Sequence, residues 1–256
     1  MNKEPIVTVE NLTTRYGDTT ILENVNFQVY RGEIFMILGG SGCGKSTLLK
    51  HIIGLLHPYA GRIVVNGTDI TAAGGEALRQ VQKKIGVLFQ ADALFGSMTI
   101  FENIALPLYE YTDLSPGMID RIVKMKLALV NLAGYENHMP DELSGGMRKR
   151  AGLARAMALD PLLLFFDEPW AGLDPVTAAE LDILIKSINA AMGTTMVIVT
   201  QELPSIFGIA QRVIMLDKSA RGIVAQGDPR ELREHSEDPR VNNFFNRKAA
   251  EIGGGM

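Results

Sequence analysis

Short apolar runs alternate with stretches of helical periodicity along most of this chain. Ile34-Phe35-Met36-Ile37-Leu38, Ile85-Gly86-Val87-Leu88-Phe89, Leu162-Leu163-Leu164-Phe165-Phe166, Thr195-Met196-Val197-Ile198-Val199 and Val213-Ile214-Met215-Leu216 leave almost no polar position to face water. Runs of this length predict strands buried on both faces, and such strands form parallel sheets with helices packed on either side. One such helix is predicted from Thr177 to Ala191. The N-terminal part has a different texture. Ile6-Val7-Thr8-Val9 and Val25-Asn26-Phe27-Gln28-Val29 alternate or cluster β-formers on either side of a Gly17-Asp18 turn. Gly61-Arg62-Ile63-Val64-Val65 ends in an Asn66-Gly67 turn. These segments predict antiparallel strands, with Ala72–Gly75 a surface loop between them and the core. From Thr99 to about Arg155 the pattern becomes helical, broken at Ser115-Pro116-Gly117 and near Gly134, and reads as an insertion into the α/β core. The tail from Glu251 to Met256 is predicted to be disordered.

Composition narrows the classes. At 256 residues the chain can bury a substantial core, as one large or two small domains. A net charge of −4 gives no electrostatic footing for nucleic acid. The N-terminus lacks the apolar core of a signal peptide, and no apolar run approaches the ~18 residues that span a bilayer. The single cysteine, Cys43, excludes an intramolecular disulfide and suits a reducing compartment. The expectation is a soluble, cytoplasmic protein.

The chemistry begins where the first apolar run ends. Gly39-Gly40-Ser41-Gly42-Cys43-Gly44-Lys45-Ser46-Thr47 lies between a predicted strand and a helix-like stretch, Leu48 to Ile53. Strand, glycine loop, Lys-Ser and helix together make a P-loop. Glycines let backbone N–H groups converge on a phosphate, and the helix N-terminus adds partial positive charge. Lys45 would reach the outer phosphates and the Ser46 hydroxyl would complete a Mg²⁺ shell. Cys43 is either a tolerated residue of this loop or, with a thiol made acidic by the helix N-terminus, a redox sensor.

A second element is the strand from Leu162 to Phe166, which delivers Asp167 and Glu168 at its C-terminal end, where α/β sheets bind ligands. Asp167 is placed to hold Mg²⁺ and Glu168 to orient and deprotonate a water. The third is Leu143-Ser144-Gly145-Gly146-Met147, a serine and two glycines opening a helix, another anion site in form.

Leu-Ser-Gly-Gly some twenty residues before an Asp-Glu strand resembles the signature of ATP-binding cassette (ABC) ATPases. The resemblance runs from about Val7 to Asp228 and carries the family's motifs in order. It implies an α/β P-loop NTPase with a RecA-like core, an antiparallel β subdomain and an inserted helical subdomain. The corresponding division is residues 1–90 and 156–230 for the core with its β subdomain, 91–155 for the helical subdomain and 231–256 for a C-terminal extension. By resemblance, Tyr16 stacks on adenine, Gly39 to Thr47 is the Walker A loop, and Gln90 contacts Mg²⁺ and signals to membrane domains. Ser144, Gly145 and Gly146 belong to the signature, Phe165 to Glu168 is Walker B, and Ala171-Gly172-Leu173-Asp174 is the D-loop. In this family two chains sandwich two ATPs, the signature of one facing the phosphates held by the other, and hydrolysis drives membrane-spanning partners.

One position departs from the pattern. The strand after the D-loop helix usually ends in a histidine that contacts the γ-phosphate, and here Gln201 follows Thr200. Glutamine can donate a hydrogen bond but carries no positive charge. Three readings stay open: a natural variant with slow turnover, a change introduced to hold the ATP-bound state, and a silent substitution because Glu168 is intact.

The segments Ala91 to Leu108, Met139 to Met147 and Asp238 to Phe245 resemble the ATPases of MCE-type lipid transporters, which work between the inner and outer membranes of diderm bacteria. That resemblance implies an MlaE-like permease, an MCE-domain protein and a STAS-domain subunit as partners, at the cytoplasmic face of the inner membrane. Importers of other substrates share the same ATPase core. Rival classes are a non-transport ABC switch and a nucleotide-gated module with little hydrolysis. Arg148-Lys149-Arg150 reads as a solvated, partly phosphate-facing surface, Trp170 as a packing residue at a dimer or domain contact. The paired aromatics Phe244-Phe245 dock either on a neighbouring subunit or on their own domain.

Overall fold

The computed structural model describes residues 4–90 and 94–248. In chain order the elements are β1 (Pro5–Tyr16), β2 (Thr19–Tyr30), β3 (Ile34–Gly39), α1 (Lys45–Ile52), β4 (Ala60–Val65), β5 (Thr68–Asp69), α2 (Gly75–Gln82), β6 (Ile85–Leu88), α3 (Ile100–Tyr111), α4 (Pro116–Leu129), α5 (Gly145–Ala156), β7 (Leu163–Asp167), α6 (Pro175–Met192), β8 (Thr195–Val199), α7 (Leu203–Ile209), β9 (Arg212–Asp217), β10 (Gly222–Gly227), α8 (Pro229–His235) and α9 (Pro239–Phe245). A short 3-10 turn, Pro140–Glu142, precedes α5.

The apolar runs form one six-stranded sheet in the order β10-β9-β3-β8-β7-β6. Strands β9, β3, β8, β7 and β6 are parallel, and β10 closes one edge antiparallel to β9. Because side chains alternate along a strand, each run feeds two cores. Ile34, Met36, Leu38, Leu164, Phe166, Met196 and Ile198 join one apolar cluster with α3 to α7 and α9. Phe35, Ile37, Leu163, Phe165, Val197 and Val199 join the other, with α1 and the antiparallel strands. Those strands make a second sheet, β2-β1-β4-β5, closed by the Gly17-Asp18 and Asn66-Gly67 turns. Full burial of Phe35, Phe165 and Phe166 contributes about 1.5–3 kcal/mol each.

Local rules explain where elements begin. Ser115-Pro116-Gly117 starts a helix rather than breaking one: Ser115 occupies the N-cap and Pro116 the first turn, where its missing N–H would have no acceptor. α6, α8 and α9 begin the same way, at Asp174-Pro175, Asp228-Pro229 and Asp238-Pro239, each aspartate accepting from first-turn N–H groups. Leu162 lies outside β7 and is partly exposed, and the Ala72–Gly75 loop ends in the first residue of α2. Phe245 packs at 5.6 Å from Phe207 of the same chain, with Val241 beside it fully buried, so the tail aromatics dock on their own domain. The tail from Glu251 to Met256 and the residues Ala91, Asp92 and Ala93 lie outside the described residues.

Candidate functional site

The P-loop is set by sterics at its first glycine. Gly39 ends β3 at φ +145°, and a Cβ there would stand 2.4 Å from the Leu216 carbonyl oxygen and 2.6 Å from Cys43 Sγ. The chain then turns into α1 through Gly44, an N-cap at φ +103° with no side-chain cap. The first-turn N–H groups of α1 therefore have no intrahelical or side-chain acceptor, which is the condition for holding an anion. Cys43 turns inward instead. It is buried, and burial pushes its thiol pKa up despite the nearby Lys45, so the loop gives no activated thiolate and the sensor reading loses its basis.

Two carboxylates meet this loop from β7. Ser46 Oγ donates to Asp167 Oδ1 at 2.8 Å. Lys45 Nζ donates to the carbonyls of Gly39 at 2.9 Å and Gly40 at 3.1 Å, and stands 3.7 Å from Glu168 Oε1. Glu168 has φ +47°, a left-handed conformation costing a non-glycine residue of order 1–3 kcal/mol, and its N–H donates to the Val199 carbonyl at 2.9 Å. Burial raises the Glu168 pKa, and Asp167 adds to that. Lys45 and the backbone N–H of Gln201 oppose the rise.

Around this centre is an open cleft of ≈ 560 Å³. Ser41, Gly42, Gly44, Lys45, Ser46 and Thr47 line it from the P-loop, and Gln90, Glu168 and Gln201 from the ends of β6, β7 and β8. The residues Ala171, Gly172 and Leu173 form its rim. The sequence reading missed Ile21 and Glu202 as lining residues and placed Trp170 elsewhere, although Trp170 both packs and lines the cleft. Asp167 reaches the site through Ser46.

Other expected residues stand apart from the cleft. Tyr16 ends β1 with 52% of its surface exposed, so it is no core aromatic. Ser144, exposed, caps α5 by accepting from the Met147 N–H at 3.3 Å, and Gly145 and Gly146 form the half-buried start of that helix. Asp174 caps α6, and the Thr177 hydroxyl and N–H hold its pKa below the usual carboxylate range. The basic triplet is not a uniform solvated face. Lys149 is buried and donates to the Gln90 carbonyl, Arg148 donates to the Leu143 carbonyl at 2.7 Å, and Arg150 pairs with Glu180.

The family model for the ABC transporter matches residues 22–171. This chain belongs to the ABC transporter family. It is 44% identical over 248 residues to the "Probable ribonucleotide transport ATP-binding protein mkl" of Mycobacterium tuberculosis, an alignment covering 96% of this chain and 68% of that one. It is 42% identical over 240 residues to the "Intermembrane phospholipid transport system ATP-binding protein MlaF" of Haemophilus influenzae, covering 94% and 90%. Among solved structures it resembles the dimeric bacterial ABC transporter cassette MJ0796, with TM-score 0.79 and 30% identity over 87% of this chain and 98% of that one. It also resembles cbiO1 of Clostridium perfringens, with TM-score 0.84 and 28% identity over 94% and 95%. The fold is the ABC-ATPase fold, and the chain is an ATP-binding and ATP-hydrolysing subunit that uses Mg²⁺. Among the described residues, no helix is long and apolar enough to cross a membrane.

The residues present fit that cofactor. The P-loop offers unpaired N–H groups, and an added Cβ at Gly40 or Gly42 would meet nothing within 4 Å, so both face open space. The Ser46 hydroxyl and the Asp167 carboxylate form a pair of hard oxygen donors beside the loop, the donor type Mg²⁺ prefers.

Proposed function

We propose that this chain powers movement of phospholipid between inner and outer membranes. In this reading two copies sit on an MlaE-like permease at the cytoplasmic face of the inner membrane, with an MCE-domain protein and a STAS-domain subunit completing the assembly. The supporting observation is the extent of the likeness. The alignment with the phospholipid-system ATPase of Haemophilus influenzae takes in 94% of this chain and 90% of that one, whereas the ribonucleotide-named relatives extend well beyond the matched part.

Each site residue has a task in this reading. Lys45 and the P-loop N–H groups hold the outer phosphates of ATP, and Tyr16 stacks on the adenine. Ser46, Asp167 and Gln90 hold Mg²⁺, which supplies charge neutralisation at the phosphates when bound. Glu168 accepts a proton from the attacking water; its raised pKa makes it a stronger base than an ordinary glutamate while Lys45 keeps it anionic. Ser144, Gly145 and Gly146, which line no part of their own cleft, complete the cleft of the second copy, with Asp174 near the seam. Gln201 donates to a phosphate oxygen without adding charge. Relative to a charged donor that removes about 2–4 kcal/mol of transition-state stabilisation, roughly a hundredfold in rate, so turnover is slow.

The test is reconstitution of the chain with its permease in liposomes carrying a fluorescent phospholipid and, separately, enclosing a labelled ribonucleotide. ATP-dependent phospholipid transfer that stops in Glu168→Gln is the expected result. ATP-dependent movement of the ribonucleotide with no lipid transfer overturns the proposal.

A further inference from the structure

Three polar groups from three different elements face one another immediately behind the cleft. Trp170 follows Glu168 by two positions, is 5% exposed and lines the cleft, yet its Nε1 is buried without a hydrogen-bond acceptor of good geometry. Asp182, two turns into α6, has a buried Oδ1 that is likewise unpartnered. Its other oxygen lies against α7: a Cβ at Gly208 would stand 3.6 Å from Asp182 Oδ2. Ser205, four positions after Gln201, is buried on that same helix. Burial raises the Asp182 pKa, and Ser205 and Trp170 face it closely enough to pull the other way. Glu202, which lines the cleft, adds repulsion, and Lys186 on the next turn of α6 offsets it.

A buried indole N–H and a buried carboxylate oxygen that face each other without closing form a contact poised to close. Leaving both unmade costs the desolvation of two polar groups, so there is a drive toward whatever arrangement pairs them. Closing the Trp170 N–H on Asp182 would join the chain after Glu168 to α6, and the Ser205 hydroxyl on the same carboxylate would bring in α7, which follows Gln201. The Gln201 N–H faces the Glu168 carboxylate closely enough to lower its pKa, so the chain on either side of the cleft already approaches there.

We propose that Asp182 is a positioning residue for hydrolysis, its carboxylate oxygens being the common acceptor that, once these contacts close, ties the chain after Glu168 to the helix after Gln201. The Trp170 N–H and the Ser205 hydroxyl converge on it, so the two segments hold Glu168 and Gln201 at a fixed separation. Asp182 touches neither nucleotide nor water and acts through its neighbours. This role rests on Glu168 being the water-activating carboxylate.

The full chain with its permease supplies kcat and KM for ATP, and the full chain by itself supplies the emission of Trp170, its sole tryptophan. Asp182→Ala is expected to lower kcat about tenfold with KM within twofold, and Mg-ATP is expected to change the Trp170 emission of the parent and not that of Asp182→Ala. Asp182→Asn, which keeps an acceptor oxygen, is expected to retain kcat within threefold of the parent. Trp170→Phe should match Asp182→Ala, and the double variant should be no slower than either single one, as expected for partners in one contact. Three results overturn the proposal: an unchanged kcat in Asp182→Ala, equal losses in the alanine and asparagine variants, or additive losses in the double variant. Glu168→Gln separates the two layers. If it hydrolyses ATP at the parent rate, the reading of Glu168 fails, while the Trp170 emission of the Asp182 variants still reports whether the contact forms.

Discussion

The hydroxyl of Ser46 donates to the carboxylate of Asp167 at 2.8 Å, joining two residues 121 positions apart. One opens α1 and the other closes β7, so the bond fastens the phosphate loop to the strand that carries Glu168. Asp167 is buried, with the Ser46 hydroxyl as its donor and Lys45 and Glu168 close by.

The pair makes distinct contributions. Asp167→Asn keeps the shape and the acceptor oxygen but removes the anionic donor, and is expected to lower kcat at least a hundredfold. Ser46→Ala removes one neutral donor, and is expected to raise the Mg²⁺ concentration for half-maximal rate about tenfold. An ATPase titration with Mg²⁺ at saturating ATP separates the two effects. An Asp167→Asn variant as active as the parent would sink the assignment.

The dependence on pH follows from Glu168. Burial and the neighbouring Asp167 lift its pKa above the ordinary value of 4.5, with Lys45 and the Gln201 N–H working against them. In the proposed role Glu168 must be ionised to accept a proton, so kcat should fall on the acid side, with its midpoint displaced upward from the ordinary glutamate value. A pH–rate profile at saturating Mg-ATP reads this directly. In Glu168→Asp the shorter carboxylate retreats from Lys45, and the limb should persist on a lower plateau.

Much of this site was legible because consecutive residues build it. Gly39 to Thr47 is strand end, turn and helix start in one stretch, and Asp167-Glu168 ends an apolar run, so the pattern and the chemistry coincide. Trp170 and Glu202 were not legible because the pairing of β7 with β8 brings the segments that follow them together, and Ile21 because it reaches the cleft from β2 of the second sheet; no local pattern encodes either placement. Lys149 misled for a related reason. A basic triplet looks solvated in sequence, whereas its central member is buried and donates to the Gln90 carbonyl, a contact no local pattern encodes. The start of α4, and α8 and α9, could have been found, since each opens on a Ser-Pro or Asp-Pro pair that combines an N-cap residue with a first-turn proline.

Gln201 offers a gain-of-function test. It is exposed and lines the cleft, and its backbone N–H faces Glu168 closely enough to lower that carboxyl's pKa. A histidine there leaves the backbone N–H in place and adds a donor that can carry charge. Gln201→His is therefore expected to raise kcat roughly tenfold or more, consistent with one charge-assisted contact. Single-turnover hydrolysis measures it without interference from product release. Equal rates would mean that Glu168 carries the reaction alone.

Gly145 distinguishes a role within the chain from a role between two chains. It occupies the first turn of α5, and a Cβ there would come no closer than 4.0 Å to Arg148 and to the Leu173 side chain. Alanine also favours a helix over glycine by roughly 0.5–1 kcal/mol, so Gly145→Ala should leave the melting temperature unchanged or slightly raised. Gly146 differs, since a Cβ there would stand 2.4 Å from Thr177 Cγ2, on the first turn of α6. Gly146→Ala should therefore displace Thr177, whose hydroxyl bonds Asp174, and lower the melting temperature. If the signature face receives the phosphates bound by a second copy, Gly145→Ala should lose at least tenfold in ATPase rate with no loss of stability. With ATP, Glu168→Gln is expected to accumulate a dimer, as read by light scattering, and the double variant with Gly145→Ala is expected to stay monomeric. Full activity in Gly145→Ala would place the glycine's role inside its own chain and remove the main support for the paired arrangement.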